Sequence, residues 1–425
     1  MLIPLLSVAA LLCAIVLSMW SRLNVGLLAL VFAYGLGVLG AKMTLRQVMA
    51  GFPVPLLLTV LALTLLFGHA QSNGTLGRVA GYAVQLARGR PGLLPVVFFG
   101  LAVSLGTVGA GNIGAVAMLA PVAMAVAYEA GVPPFLMALL VACGGNAASL
   151  SPLAPTGVIA VDLMTRIGLH GYGWWNYLHC LLAHTTVALG GFVLFGGLQL
   201  LRHKPTEEES ARLARLLQSH RQPLQARHVV TLVVLLLVLL VVSIGKVEIG
   251  AVALLAAVLL SILRVSSEEE VLRSLPWGTI LMVCGMTCLM GILERTGGID
   301  LFTWLIEKMS TRRTAPAAIG LATGLLSAYS SSSGVVLPAF LPILPKLTQK
   351  LGGGDLVALA NSVNVGAHLV DVSPLSTLGA ICLANAQGDT KKLSQQLLGW
   401  GMAMAFVGAL YCQLVFGYLH LGSPG

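Results

Sequence analysis

Charge is what this sequence has least of. Only 9% of its 425 residues are Asp, Glu, Lys or Arg, whereas a soluble domain carries about 25%. That shortage excludes soluble enzymes and nucleic-acid binders, because long apolar runs recur over almost the whole length. Paired cysteines are missing as well. The seven cysteines, at 13, 143, 180, 284, 288, 382 and 412, all sit in apolar stretches, where a free thiol behaves as a small hydrophobe. No C-x₂-C pair offers zinc ligands, and no disulfide framework emerges. A basic stretch ahead of the apolar first 20 residues is also absent, so these read as a first span and not as a cleaved signal. What remains is 57% hydrophobic with a mean hydropathy of +0.93, the composition of a polytopic membrane protein. The net charge of +9, from 24 Lys+Arg against 15 Asp+Glu, then reflects loops facing anionic lipid.

Runs of the length needed to cross a bilayer fall near 3–20, 24–41 and 53–70, followed by an amphipathic stretch at 74–90 that suits the interface. Two short apolar segments, 92–107 and 112–127, flank Thr107-Val108-Gly109-Ala110-Gly111-Asn112. Their length and glycine-rich junction predict a re-entrant hairpin, since irregular backbone survives at membrane depth only where it is buried or lines a polar cavity. Residues 134–167 read as a helix interrupted between Gly144 and Gly157, where prolines and glycines cluster with hydroxyl side chains and cannot continue a helix undisturbed. A span at 176–201 closes this half, and residues 202–228, with six Lys/Arg and Glu207 to Glu209, form the linker.

The second half repeats the order. Spans are expected near 229–245, 247–263 and 277–294, an amphipathic stretch at 298–313, a hairpin around Ser330-Ser331-Ser332-Ser333-Gly334, a helix at 355–386 broken at Asp371 to Gly379, and a final span near 394–418. Asn112 precedes Pro121 by nine residues and Ser151 by 39; Ser333 precedes Pro342 by nine and Ser373 by 40. These spacings indicate a duplication offset by about 221 residues, giving units 1–201 and 229–425. Five crossings per half would invert the second copy, the pattern of secondary transporters that bind substrate near the bilayer midplane. The expected class is therefore an all-α polytopic membrane protein of two inverted repeats, each with a re-entrant hairpin and a broken helix. Placing the linker in the cytoplasm puts 14 Lys/Arg inside against 10 outside, and 10 against three up to residue 228; this assigns both termini to the outside.

A helix broken in the membrane exposes N–H groups that attract anions and C=O groups that attract cations, about half a charge at each end. No Lys or Arg lies within the four breaks. An anion there would be met by hydroxyls, amides, dipoles and a bound cation, which favours coupling to Na+, an ion that neutral oxygens can hold. Asp371 is the single acid in a break, a cation ligand or proton carrier by default, with a cap or a pairing to His368 as the alternative role. Asp162 can pair with Arg166 at i+4. His179 and His184 read as packing residues, Trp174 and Trp175 as interface anchors, and Lys346 and Lys350 as solvated helix ends.

The stretch from Asn112 through Pro121 to Ala125, followed by Ser149-Leu150-Ser151-Pro152-Leu153-Ala154-Pro155-Thr156-Gly157, resembles the N-terminal domain of MatC-type malonate/dicarboxylate carriers of the ion transporter superfamily, relatives of the divalent anion/sodium symporters. Gly366 to Ala380, around Asp371-Val372-Ser373-Pro374, resembles the matching second motif. In those symporters each hairpin tip carries Ser-Asn-Thr against substrate carboxylates and a Na+ site. Here the tips align as Gly111-Asn112-Ile113 and Ser332-Ser333-Gly334, each keeping one of the three residues.

The resemblance implies substrate contacts at Asn112, Ile113, Thr156, Ser332, Ser333, Gly334 and Thr377. It implies cation contacts at Asn112, Asn146, Ser149, Ser151, Ser332, Asp371 and Ser373. It further implies a homodimer moving as an elevator in a bacterial-type inner membrane. The expected activity is import of malonate or a C4-dicarboxylate with a coupling cation and no bound cofactor. The alternatives are a proton-coupled or antiport carrier of another anion, or, from another class, an intramembrane hydrolase using a serine with His184 or His368. Against the hydrolase, no Gly-x-Ser-x-Gly elbow is present.

Overall fold

A computed structural model describes residues 2–21, 23–84, 90–202, 223–245, 247–308 and 310–422. Its described residues are helical with no strand, as the bilayer demands of a chain that must satisfy its own backbone. Five stretches are long and apolar enough to cross a membrane: Val54–Ser72, Pro91–Glu129, Gly173–Leu194, Trp277–Thr296 and Thr390–Tyr418. Shorter apolar helices accompany them, among them Pro134–Ala147, Ile249–Ile262 and Leu356–Leu369. Most of the proposed linker, 203–222, lies outside the described residues, as does Arg22.

Both breaks occur where the proline and glycine clusters place them. Helices Pro134–Ala147 and Pro155–Arg166 are separated by residues 148–154, and Leu356–Leu369 and Thr377–Ala384 by 370–376. Each boundary of the second break lies 222 positions after its counterpart, 147 to 369 and 155 to 377. The packing repeats too. A Cβ on Gly157 would run into the Ser151 carbonyl, and one on Gly379 into the Ser373 carbonyl, so both breaks close on themselves at a glycine.

The halves interlock reciprocally. Val54–Ser72 packs against Ile249–Ile262, while its counterpart Trp277–Thr296 packs against Val25–Tyr34. Glycines permit both approaches: Gly26 abuts the backbone at Leu281, and Gly250 abuts Thr59. At the centre, Asn146 Nδ2 donates to the carbonyl of His368 at 3.0 Å, and these two residues are themselves 222 apart.

The hairpins differ in regularity. The first turns at Gly109 and Gly111, with φ of +131° and +70°, and continues as one helix, Gly111–Glu129, through its single Pro121. In the second, Pro338, Pro342 and Pro345 divide the returning limb into Leu337–Phe340, a 3₁₀ turn at Leu341–Ile343 and Leu344–Lys350, because each proline removes an N–H from the ladder. The span expected at 176–201 also divides. Its helix stops at Leu194, Gly196 adopts φ +86°, and Gly197–Arg202 forms a separate turn. The amphipathic stretches form Thr75–Val84 and Gly298–Lys308.

Candidate substrate cavity

The hairpin tips, the second helix break and the start of Pro155–Arg166 converge on a cavity of about 430 Å³, walled on one side by Val54–Ser72. Three helices begin at its lining: Gly111–Glu129 through Asn112, Pro155–Arg166 through Thr156, and Thr377–Ala384 through Thr377. Neither Ala110 nor Ala154 caps its helix with a side chain, whereas Asn112 Oδ1 accepts the Ile113 N–H at 2.9 Å and Ser376 caps the third helix by accepting the Gly379 N–H at 3.5 Å; helix N-termini of this kind favour an anion. The second tip adds Ser330 to Ser333. Among the described residues, no Lys or Arg lines it and Asp371 is the one carboxylate.

The tip of the first hairpin tolerates only glycine at its closest approach. Gly109 has φ +131°, and a Cβ there would collide with the ring of Phe67. Asn112 is held on this tip by its amide, which donates to Asn146 Oδ1 at 3.1 Å while its own Oδ1 accepts the Ile113 N–H at 2.9 Å. On the second tip Ser332 is 6% exposed and sits among oxygens. Its Oγ lies 2.6 Å from Ser327 Oγ, 2.7 Å from Asp371 Oδ2 and 3.2 Å from the Ala367 carbonyl. The Asp371 carbonyl accepts from Ser376 Oγ. Its carboxylate therefore bonds Ser332 and not His368, whose Nδ1 pairs with the Asn364 carbonyl at 2.7 Å.

Of the residues expected to bind substrate, Asn112, Ile113, Thr156, Ser332, Ser333 and Thr377 line the cavity; Gly334 does not. It is buried with its Cα turned to Met282. Four of the expected cation ligands, Asn146, Ser149, Ser151 and Ser373, also lie behind the lining. They are buried and engaged in the breaks themselves. Ser149 Oγ donates to the Asn146 carbonyl at 2.8 Å, Ser151 Oγ to the Thr107 carbonyl at 2.7 Å, and Ser373 Oγ accepts from the Leu375 N–H at 3.2 Å. The oxygen cluster at Ser332 and Asp371 is the better cation candidate, since position 371 carries a carboxylate where its first-half counterpart carries Ser149.

Sequence reasoning passed over Thr64, Gln71, Thr279 and Tyr329, all at the cavity. Thr64, Phe67, Gly68 and Gln71 are spaced i, i+3, i+4, i+7, one face of a helix. That stripe was the available signal.

Other expectations resolve locally. Asp162 pairs with Arg166 at 2.7 Å. His179 packs between the rings of Trp175 and Phe416, with centroids 5.0 Å from each. Trp174 is exposed as an interface anchor would be, whereas Trp175 turns inward and donates to the Gly422 carbonyl at 2.8 Å. Lys346 is not merely solvated: it meets Asp300 at 2.8 Å, and Lys350 lies 3.8 Å from Glu307.

The sequence profile of the family "Dicarboxylate carrier protein MatC N-terminus" matches residues 1–149 and 225–368. An uncharacterized transporter of Mycobacterium tuberculosis, Rv2685, is 25% identical over 387 residues, 87% of each chain. A second from that organism, Rv2684, is 22% identical over 344 residues, 77% of this chain and 78% of its own. The chain is a multi-pass membrane transporter and belongs to the family of the dicarboxylate carrier protein MatC N-terminus.

Proposed function

We propose that this transporter carries a small dicarboxylate, malonate or a C4 acid, inward across a bacterial-type inner membrane, driven by Na+. The observation that carries the reading is a cavity where three helix N-termini meet two polar tips with no Lys or Arg among the described lining residues. Such a site holds an anion by dipoles and hydrogen bonds and leaves its charge to be balanced by a bound cation. The anion's carboxylates would accept from the Asn112 amide, the hydroxyls of Thr156, Ser333 and Thr377, and first-turn N–H groups. Na+ would occupy the oxygens around Ser332 and Asp371. Asn112 and Asn146 would couple the two, because the Asn112 amide bonds Asn146 and Asn146 bonds the opposite half.

The reciprocal packing of the halves and their parallel element order support two inverted repeats, 1–201 and 229–425. The charge bias supports a cytoplasmic linker with both termini outside. The superfamily resemblance extends the reading to a homodimer with an elevator motion.

The test is uptake of radiolabelled malonate and succinate into proteoliposomes with and without an inward Na+ gradient. Gradient-driven uptake is expected in the parent protein, with losses of at least tenfold in Asn112→Ala and Asp371→Ala. No uptake of either acid under any gradient would sink the substrate assignment. The Ser332–Asp371 bond of 2.7 Å also favours a second reading, in which the carboxyl carries a proton in place of Na+. Replacing Na+ by choline abolishes uptake in the first case. Collapsing the pH gradient abolishes it in the second.

A further inference from the structure

The substrate cavity has a wall that neither the tips nor the breaks supply. Its polar side chains are Thr64 and Gln71 on Val54–Ser72, Thr279 on Trp277–Thr296, and Ser274 just before that helix. Two of these four have spent their hydrogens on backbone. Thr64 Oγ1 donates to the Val60 carbonyl at 2.8 Å, and Ser274 Oγ to the Val271 carbonyl at 2.8 Å. The Gln71 amide and the Thr279 hydroxyl make no hydrogen bond among the described residues. Gln71 is exposed and Thr279 half-buried, so each has donors to offer to what the cavity holds.

The two donors come from opposite halves and stand at matching steps from the tips. The first tip meets this wall at Phe67, whose ring a Cβ on Gly109 would strike. Gln71 lies four residues further on the same face of that helix, about 6 Å along its axis. The second tip meets the wall at Met282, against which Gly334 packs. Thr279 lies three residues nearer the start of its helix, about 4.5 Å along it. Both steps run toward one end of the cavity, because Gly68 packs against Val271 and Ser274 and so brings the end of Val54–Ser72 beside the start of Trp277–Thr296. The Phe67 ring leaves apolar surface between the first tip and Gln71.

We propose that Gln71 and Thr279 receive the far carboxylate of the substrate, and that the site thereby selects dicarboxylates of four or more carbons over malonate. This rests on the transport reading above and narrows its substrate class. One carboxylate lies on Asn112, Thr156, Ser333 and Thr377, the carbon chain passes Phe67, and the second carboxylate accepts from Gln71 Nε2 and Thr279 Oγ1. An ionised carboxylate only accepts hydrogen bonds, so an amide and a hydroxyl hold it without a formal charge. The two carboxylates of malonate share a single carbon. Held at the tips, it falls short of donors set one helical turn away and binds by one end, and a site that hydrogen-bonds a substrate group discriminates against an analogue that cannot present it there.

The test compares malonate with succinate. Each is titrated into the purified protein in detergent with Na+, its half-saturating concentration is read from the rise in melting temperature, and competition against labelled succinate uptake repeats the series in proteoliposomes. The parent protein is expected to hold succinate about tenfold more tightly than malonate. Gln71→Ala and Thr279→Val are each expected to weaken succinate about tenfold and malonate less than about twofold, so that the preference for length disappears. Thr279→Ser restores it, whereas Gln71→Glu, similar in size but negatively charged, weakens succinate further still. Malonate held as tightly as succinate by the parent would overturn the proposal, and that comparison needs no variant to fold. Equal losses for both acids, or none for either, in Gln71→Ala and Thr279→Val would overturn it too. If neither acid raises the melting temperature or is taken up, the dicarboxylate reading falls and takes this proposal with it; if both do so without regard to length, this proposal alone falls.

Discussion

Ser332 concentrates the chemistry of the site. Its one hydrogen has two acceptors, the Asp371 carboxylate and the Ala367 carbonyl, while the Ser327 hydroxyl can donate in turn; on the proposed reading a cation would draw these oxygens together. Ser332→Ala removes the Ser332 hydroxyl from the Asp371 carboxylate, a loss of about 1–3 kcal/mol. The half-saturating Na+ concentration for malonate uptake is therefore expected to rise about tenfold, tenfold being about 1.4 kcal/mol, while uptake at saturating Na+ changes less. An unchanged Na+ curve would remove the cation from this spot. At this scale the sequence was most readable where it breaks rules. Asn112, Thr156, Ser332, Asp371 and Thr377 stand out because polar residues interrupt apolar runs, and all five reach the cavity. Thr64 and Gln71 were hidden because isolated polar residues on an unbroken helix look ordinary. Ser149, Ser151 and Ser373 lie behind the lining, where their hydroxyls bond the backbone at the break.

The broken helices depend on their glycines. Gly157→Ala and Gly379→Ala push a methyl into the carbonyls of Ser151 and Ser373, and rigid backbone cannot yield as a side chain can. Each is expected to cost about 1–3 kcal/mol, read as a lower melting temperature in detergent, with both halves hurt alike. Gly399→Ala, which meets nothing within 4 Å, should be neutral or gain up to about 1 kcal/mol. Equal melting of all three variants would contradict the close packing of the breaks. The breaks were legible because proline and glycine act locally. The fragmentation of the second returning limb was not foreseen, although its three prolines are plain: a lone Pro121 bends nothing apart in the first half, and only their spacing of three or four residues prevents one helix. Trp175 and Lys346 needed partners distant in sequence, Gly422 and Asp300, which no local pattern indicates.

At the scale of the molecule, each half uses the other as its packing surface. Val25–Tyr34 and Ile249–Ile262 both bury a glycine face against the opposite half, so neither half alone can cover it. Fragments 1–202 and 223–425 expressed separately are expected to be degraded, and co-expressed to copurify and recover uptake. Stable accumulation of either fragment alone would show that the reciprocal contacts are dispensable. Motif spacing points to two similar units but gives no sign of the exchange of packing partners, which depends on how they face one another. The lining without Lys or Arg also has an electrical side. Among the described residues, an ionised Asp371 is the single formal charge that the cavity lining presents to the membrane field. Carrying that charge across the full potential involves about 2.3 kcal/mol per 100 mV. The voltage would then press on the unloaded protein through one side chain, and on the proposed coupling the cations bound with the anion would set the charge that moves on the loaded stroke.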